Sequence, residues 1–211
     1  MPPQHVSLKD IQDALHLPGF DSASAQLKMA PEGRGMRPPP GVQPRQAGVL
    51  VLLFPDSAGL NLVLTRRTDH LRGHSGQISF PGGSRDPQDD SFTETALRET
   101  CEELGLCDAP IQVLGELSPL YIPPSNFQVF PTVGALPERP VFRPNTAEVA
   151  EVLYLSVDAL FDTRYKSQET WVRNGTDILI PFYAVNGHKV WGATAVMLSE
   201  LEHRLRAVTQ R

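Results

Sequence analysis

The stretch ALRETCEELGL, Ala96 to Leu106, sets Glu99, Glu102 and Glu103 in one amphipathic run together with Arg98. At about 100° per residue Ala96, Leu97, Thr100, Cys101 and Leu104 share one helix face suited to packing, and the three carboxylates are expected on the opposite, solvent-facing side within an arc of roughly 100°. Like charges three and four residues apart destabilise a helix by roughly 0.2–0.5 kcal/mol per pair, and both the 99/102 and the 99/103 pairs carry that cost. Arg98 offsets part of it through Glu102, one turn on. Two readings stand side by side. Most charge runs are solvated faces; alternatively, the cluster serves a hard divalent cation, which takes carboxylate oxygens and keeps some of its waters.

The elements needed to position these side chains are legible nearby. SFTE, Ser91 to Glu94, has the spacing of a capping box, so a helix from about Phe92 to a stop at Gly105 follows. In front of it GQISFPGGSRDPQDD runs a short apolar strand into Gly82 and Gly83 and then an acidic loop. Paired glycines allow a backbone or a ligand to approach where a Cβ would block it. A glycine turn, a loop and a carboxylate helix make a coherent platform for phosphate and metal.

Elsewhere the chain reads as strands closed by helices. SLKDIQDAL opens with an N-cap and spaces Leu8, Ile11 and Leu15 at helical intervals. From Asp21 to Gln46 periodicity is lost and prolines gather, which predicts an extended connector. AGVLVLLFP, the turn DSAG and LNLVLTRR predict a strand, a turn and a second strand. IQVLGEL, FQVFPTVGAL, EVLYLSV and DILIPFYAV predict further strands, and ATAVMLSELEHRLRAV a final helix. The result is an α/β (α+β type) layout with helices against a mixed sheet.

Composition narrows the partners. With 211 residues and 40% hydrophobic content the chain can bury one good core, and its net charge of -5 argues against general attraction to nucleic acid or to an anionic membrane. No apolar run nears the roughly 18 residues that span a bilayer, and MPPQHVSLKD lacks a secretory layout, so a soluble, cytoplasmic chain is expected. Cys101 and Cys107 are too few for a disulfide framework or a zinc site, and are expected as ordinary reduced thiols.

Gly83, Asp89 and the run Arg98-Glu99-x-x-Glu102-Glu103-x-Gly105-Leu106 resemble the Nudix box of Mg2+-dependent hydrolases that act on nucleoside diphosphates linked to another group. Thr100 stands where an aliphatic residue is usual, Asp89 replaces a glutamate, and the loop is one residue longer than the common spacing. LTRRTDHLRGHSGQISFPGG, Leu64 to Gly83, is similar to the segment preceding the box in coenzyme A pyrophosphatases of that superfamily. The two motifs cover about forty contiguous residues.

The resemblance implies a Nudix-like α/β/α sandwich with a mixed central sheet and a catalytic loop-helix. It divides the chain into an N-terminal helix (1–20), a proline-rich connector (21–46) and a Nudix hydrolase domain (47–211). It implies that Glu99, Glu102 and Glu103, with the carbonyl of Gly83, ligate Mg2+ or Mn2+, and that Arg98 orients the carboxylates. A general base outside the box is expected at Glu148, with Glu151 left open. Arg67 and Arg72 align with the upstream motif and could contact the phosphates of coenzyme A, as could His74 and Gln77. Phe127 could flank the pantetheine or adenine, although Phe127 and Phe130 alternate as strand residues. The implied partner is a small-molecule substrate, with no nucleic acid and no membrane, and a homodimer is left open. The implied reaction gives 3',5'-ADP and 4'-phosphopantetheine. Alternatives are a Nudix hydrolase of ADP-ribose, NADH or a related compound, and a sensor module that has lost catalysis, against which the intact carboxylates speak.

Overall fold

Residue 50 and its neighbours show why one apolar run can serve two cores. In a computed structural model, which describes residues 5–35, 37–70, 76–173 and 175–209, β1 spans Arg45–Asp56 at the middle of an eight-stranded sheet. Its side chains alternate: Val51 and Leu53 enter the larger core on one face, while Leu50, Leu52 and Phe54 enter a second core on the other. A strand buried on both faces must be apolar at every position, which accounts for VLVLLF.

The central path of the sheet is β3 (Ile78–Ser79), β2 (Gly59–Arg67), β1, β7 (Phe127–Ala135) and β5 (Gln112–Glu116). Three strands join off this path: β4 (Gly82–Ser84) pairs with β1, β6 (Leu120–Ile122) with β7, and β8 (Val149–Ser156) with β2. β1 and β2 form the expected hairpin, in which the Asp56 side chain accepts from the Ala58 N–H at 2.7 Å and Gly59 takes φ 122°. β1 runs parallel to β7, which makes the sheet mixed. A second sheet orders β11 (His188–Trp191), β10 (Thr176–Val185) and β9 (Lys166–Arg173). Of these, β9 and β11 were not foreseen from sequence.

Helix α3 (Phe92–Leu104) covers one face of the large sheet. On the other face lie α4 (Gly192–Thr209), α1 (Leu8–Leu15) and α2 (Ser22–Leu27), giving the α/β/α sandwich. The helix α2 corrects the expectation of plain extended chain after residue 21. It forms because α4 presents polar groups that short helices can satisfy: the Ser199 hydroxyl donates to Ala25 O at 2.7 Å, and the Gln26 amide donates to the fully buried Glu200 at 2.8 Å. Glu200 also pairs with Arg204 at 2.9 Å, and Arg204 reaches back to Ala14 O at 3.2 Å and the Ser22 hydroxyl at 3.1 Å. A buried ion pair is tolerated when its remaining hydrogen-bonding capacity is met, and here the N-terminal segment meets it. Among the described residues no helix is long and apolar enough to cross a membrane.

Candidate active site

Both ends of α3 are set by local sequence. The Ser91 hydroxyl accepts from the Glu94 N–H at 3.1 Å, and the Glu94 carboxylate takes the Asp90 N–H at 2.6 Å. At the other end Gly105 adopts φ 70°, and its N–H closes on Cys101 O at 2.8 Å. Beyond it the loop folds back over the helix: the Arg143 N–H donates to Leu104 O and the Asn145 N–H to Glu103 O, each at 2.9 Å. Two of the carbonyls that a helix end leaves unpaired are thereby satisfied.

The reversal at Gly105 also carries Cys107 back beside Cys101, and the two are disulfide-bonded with Cα atoms 4.4 Å apart. The expectation of two reduced thiols is therefore corrected. Six residues of sequence separation look unremarkable until a left-handed glycine turns the chain on itself.

The packing of α3 corrects a second expectation. Its buried residues are Thr95, Ala96, Thr100, Glu103 and Leu104, so Glu103, 3% exposed, belongs to the packed side. The helix comes so close to β1 that a Cβ on Gly48 would lie 2.9 Å from Thr95 Cβ and would strike Phe92 O. Glu103 follows Ala96 by seven residues, two turns of helix, so it shares the strip that faces the sheet.

Asp89, three glutamates of α3 and two arginines form the heart of the cluster. Arg98 grips Asp89 with a fork, Nε to one oxygen and Nη2 to the other, both at 3.0 Å. From the same guanidinium Nη1 reaches Glu99 at 2.9 Å and Glu102 at 3.3 Å, and Nη2 reaches Ser84 O at 3.1 Å. Asp89 is buried and also accepts from the Thr95 hydroxyl at 2.8 Å and the Asp86 N–H at 2.9 Å. Arg98 holds the Asp89 carboxyl well below the usual carboxylate range. Asp89 thus reaches Arg98 from the acidic loop in front of α3.

Glu99 and Glu103 shift the opposite way. Burial raises Glu99 above its ordinary value, against the pull of Arg98. Glu103 is pushed up to about 7, chiefly by burial; the Arg67 guanidinium and the Gly82 N–H oppose the rise, and the charges of Glu99 and Glu148 add to it. Arg67 Nη1 stands 3.5 Å from Glu103 Oε1, while Glu103 Oε2 is buried with no hydrogen-bond partner among the described residues.

These residues fit a hard divalent cation. An unsatisfied buried carboxylate oxygen costs roughly 1–3 kcal/mol or more, and a cation removes the deficit. A Cβ on Gly83 would collide with the Glu99 carboxylate, so the cradle around Glu99 depends on glycine there. Among the described residues no three acidic, histidine or cysteine side chains already form a finished cage. The ion pairs explain this: Arg98 draws Glu99 and Glu102 to itself, and Arg67 draws Glu103.

The remaining sequence candidates divide. Glu148 joins the cluster, close enough for its charge to raise both Glu99 and Glu103. Glu151 does not: it shares the strand face of Leu153 and Leu155, away from α3, and engages His188 at 3.0 Å and Arg66 at 3.6 Å. Between these two glutamates β8 carries an irregularity in its pairing with β2 at Arg66/Arg67. Gln77 accepts the Arg67 N–H on its carbonyl at 3.0 Å, beside the site. Phe127 is not gathered with the carboxylates. It packs against the core on the opposite sheet face, with Arg45 4.2 Å above its ring, whereas Phe130 points to the α3 side and stacks on Phe92 at 3.6 Å. Arg72 and His74 lie outside the described residues. Asn145, which bonds the end of α3 and the Glu148 carboxylate, was not anticipated, and its signal in sequence is only the turn-prone NTAE.

Comparison with known proteins agrees with this arrangement. The NUDIX domain family matches residues 44–174. The chain is 40% identical over 178 residues to the uncharacterized Nudix hydrolase NudL of Pectobacterium atrosepticum, covering 83% of this chain and 88% of that relative. It is 40% identical over 147 residues to the NudL of Yersinia enterocolitica, covering 68% of this chain and 73% of that one. Among solved structures, the Nudix hydrolase RenU from M. smegmatis superposes with a TM-score of 0.53 at 18% identity, covering 84% of this chain and 96% of that chain. The MutT protein of Methanosarcina mazei Go1 gives 0.52 at 16%, covering 81% and 100%. At such identities the solved structures speak for the fold, while the domain match and the 40% relatives decide the family: the chain belongs to the Nudix hydrolases.

Proposed function

We propose that the chain is a Mg2+- or Mn2+-dependent diphosphatase of coenzyme A or its acyl derivatives, releasing 3',5'-ADP and 4'-phosphopantetheine or its acylated form. Hydrolysis of a nucleoside diphosphate derivative is the chemistry its family implies. One observation carries the site assignment: the Oε2 of Glu103, buried and without a hydrogen-bond partner among the described residues, held next to Glu99 and the glycines of β4. The coenzyme A reading rests on LTRRTDHLRGHSGQISFPGG, which leads directly into those glycines.

In this reading Glu99, Glu102, Glu103 and the Gly83 carbonyl would hold the cation, and Arg98, itself fixed by Asp89, sets how the carboxylates are presented. When bound there, Mg2+ or Mn2+ would supply positive charge against the diphosphate and would make a nearby water more acidic. Glu148 takes the proton of the attacking water as its oxygen bonds to phosphorus and the bridging P–O bond breaks. Arg67 serves as the counter-charge of Glu103 until a cation takes that role, after which its fork is available to a phosphate oxygen.

A chromatographic product assay with coenzyme A, ADP-ribose, NADH and a diadenosine polyphosphate tests the reading. The expected outcome is a kcat/KM for coenzyme A well above the others, with 3',5'-ADP as a product. Preference for ADP-ribose or NADH would move the chain to the alternative within the same family.

A further inference from the structure

Asn145 is bonded both to the end of the carboxylate helix and to the side chain of Glu148. Its N–H donates to Glu103 O at 2.9 Å, the main chain of a proposed cation ligand. Its own carbonyl accepts the N–H groups of Glu148 at 2.9 Å and Val149 at 2.8 Å. Within its side chain the two amide atoms have separate jobs: Oδ1 accepts the Ala147 N–H at 3.1 Å, closing the turn, and Nδ2 donates to Glu148 Oε1 at 3.4 Å. From the other side Thr68 clamps the same segment, its N–H on Glu148 O at 2.9 Å and its hydroxyl on Ala147 O at 3.1 Å. The backbone of Glu148 is therefore fixed by Thr68, just beyond β2, and, through Asn145, by the end of α3. Among the described residues the carboxylate has one hydrogen-bond donor, the Asn145 amide.

We infer that Asn145 is a positioning residue for Glu148, its amide N–H aiming that carboxylate at the attacking water while its carbonyl oxygen shapes the turn. The inference rests on the reading of Glu148 as the base. A half-buried glutamate with several rotamers gains from a donor that selects one of them, because proton transfer needs the base within hydrogen-bond reach of the water. Asn145 ties that aim to α3, so base and cation ligands keep a common frame.

The two jobs of the amide can be separated experimentally. Asn145→Asp keeps an oxygen for the Ala147 N–H but replaces the donor with a group that repels Glu148. Asn145→Ser also keeps a local acceptor and is too short to reach the carboxylate. Both are expected to lower kcat for coenzyme A about tenfold with KM unchanged, the scale of one lost hydrogen bond to a charged group. Calorimetric Mg2+ uptake and the urea midpoint should stay near wild type. Glu148→Gln is expected to lower kcat on the order of a hundredfold, and adding Asn145→Asp to it should cost nothing more. If Glu148→Gln is impaired while both Asn145 variants keep wild-type kcat, or if the losses multiply in the double variant, the positioning role is overturned. If Glu148→Gln itself turns over normally, it is the base assignment that fails.

Discussion

Arg67 and Glu103 face each other at 3.5 Å between the end of β2 and the last turn of α3, and Glu103 keeps one oxygen buried and unanswered. This is a partly compensated buried charge. Such a group stays ionised cheaply only if more positive charge arrives.

Glu103→Gln removes that charge while keeping the shape. The expected result is loss of turnover by about a hundredfold or more at saturating Mg2+, on the scale of a lost contribution to charge stabilisation by the cation. The metal-free variant should unfold at a urea concentration no lower than wild type, because the neutral amide no longer pays for burial of charge. Near-normal rates in high Mg2+ would remove Glu103 from the cation site.

The same residue gives the metal-free protein a pH signature. Its folded pKa of about 7 lies above the ordinary glutamate value of about 4.3, so between these limits the folded state holds a proton that the unfolded chain has released. Stability contributed by this group is therefore lost as pH rises through that window. Melting temperatures in EDTA from pH 4.5 to 7.5 should fall more steeply for wild type than for Glu103→Gln. Parallel curves would contradict the assignment.

Asp89 is the anchor of the arginine that touches two of the box glutamates. Asp89→Ala leaves Arg98 and the Thr95 hydroxyl without their shared acceptor, and since Arg98 keeps Glu99, Glu102 and Ser84 O the expected cost is about 1–3 kcal/mol in chemical denaturation. Arg98→Lys retains the charge but not the fork, so a smaller loss is expected together with a higher Mg2+ requirement. A denaturation midpoint unchanged by Asp89→Ala would show that the ion pair does not hold the loop.

Gly83→Ala separates site from fold. The added methyl meets the end of the flexible Glu99 side chain rather than backbone, so the side chain can swing away at little structural expense. Expected are a near-wild-type melting temperature and weakened Mg2+ uptake by calorimetry. Unaltered uptake would mean that the Glu99 carboxylate has no need of its present place.

Local physics made much of this protein readable from its residues. Ser91 and Gly105 bound α3 because caps are one-turn affairs, and the spacing of Arg98, Glu99, Glu102 and Glu103 puts their side chains within reach of one another whatever surrounds them. The β1–β2 hairpin follows from its turn, and the apolar run of β1 demands two covered faces. What the tertiary structure decided is everything that depends on neighbours distant in sequence. A helical wheel sets Glu103 beside Ala96, but how deeply it is buried depends on the close approach of α3 to the sheet, seen at Gly48. Glu148, just ahead of β8, and Glu151 within it stand an odd number of residues apart, and the placement of β8 beside β2 decides which of the two meets the carboxylates of α3. The parallel pairing of β7 with β1 puts Phe130 on the α3 side and Phe127 on the other. The polar groups of α4 turn residues 22–27 into a helix, and the left-handed turn at Gly105 brings two cysteines together. Spacing along the chain specifies which groups can act together, but burial and strand face are properties of the assembled sheet, and these set the charge that each group carries.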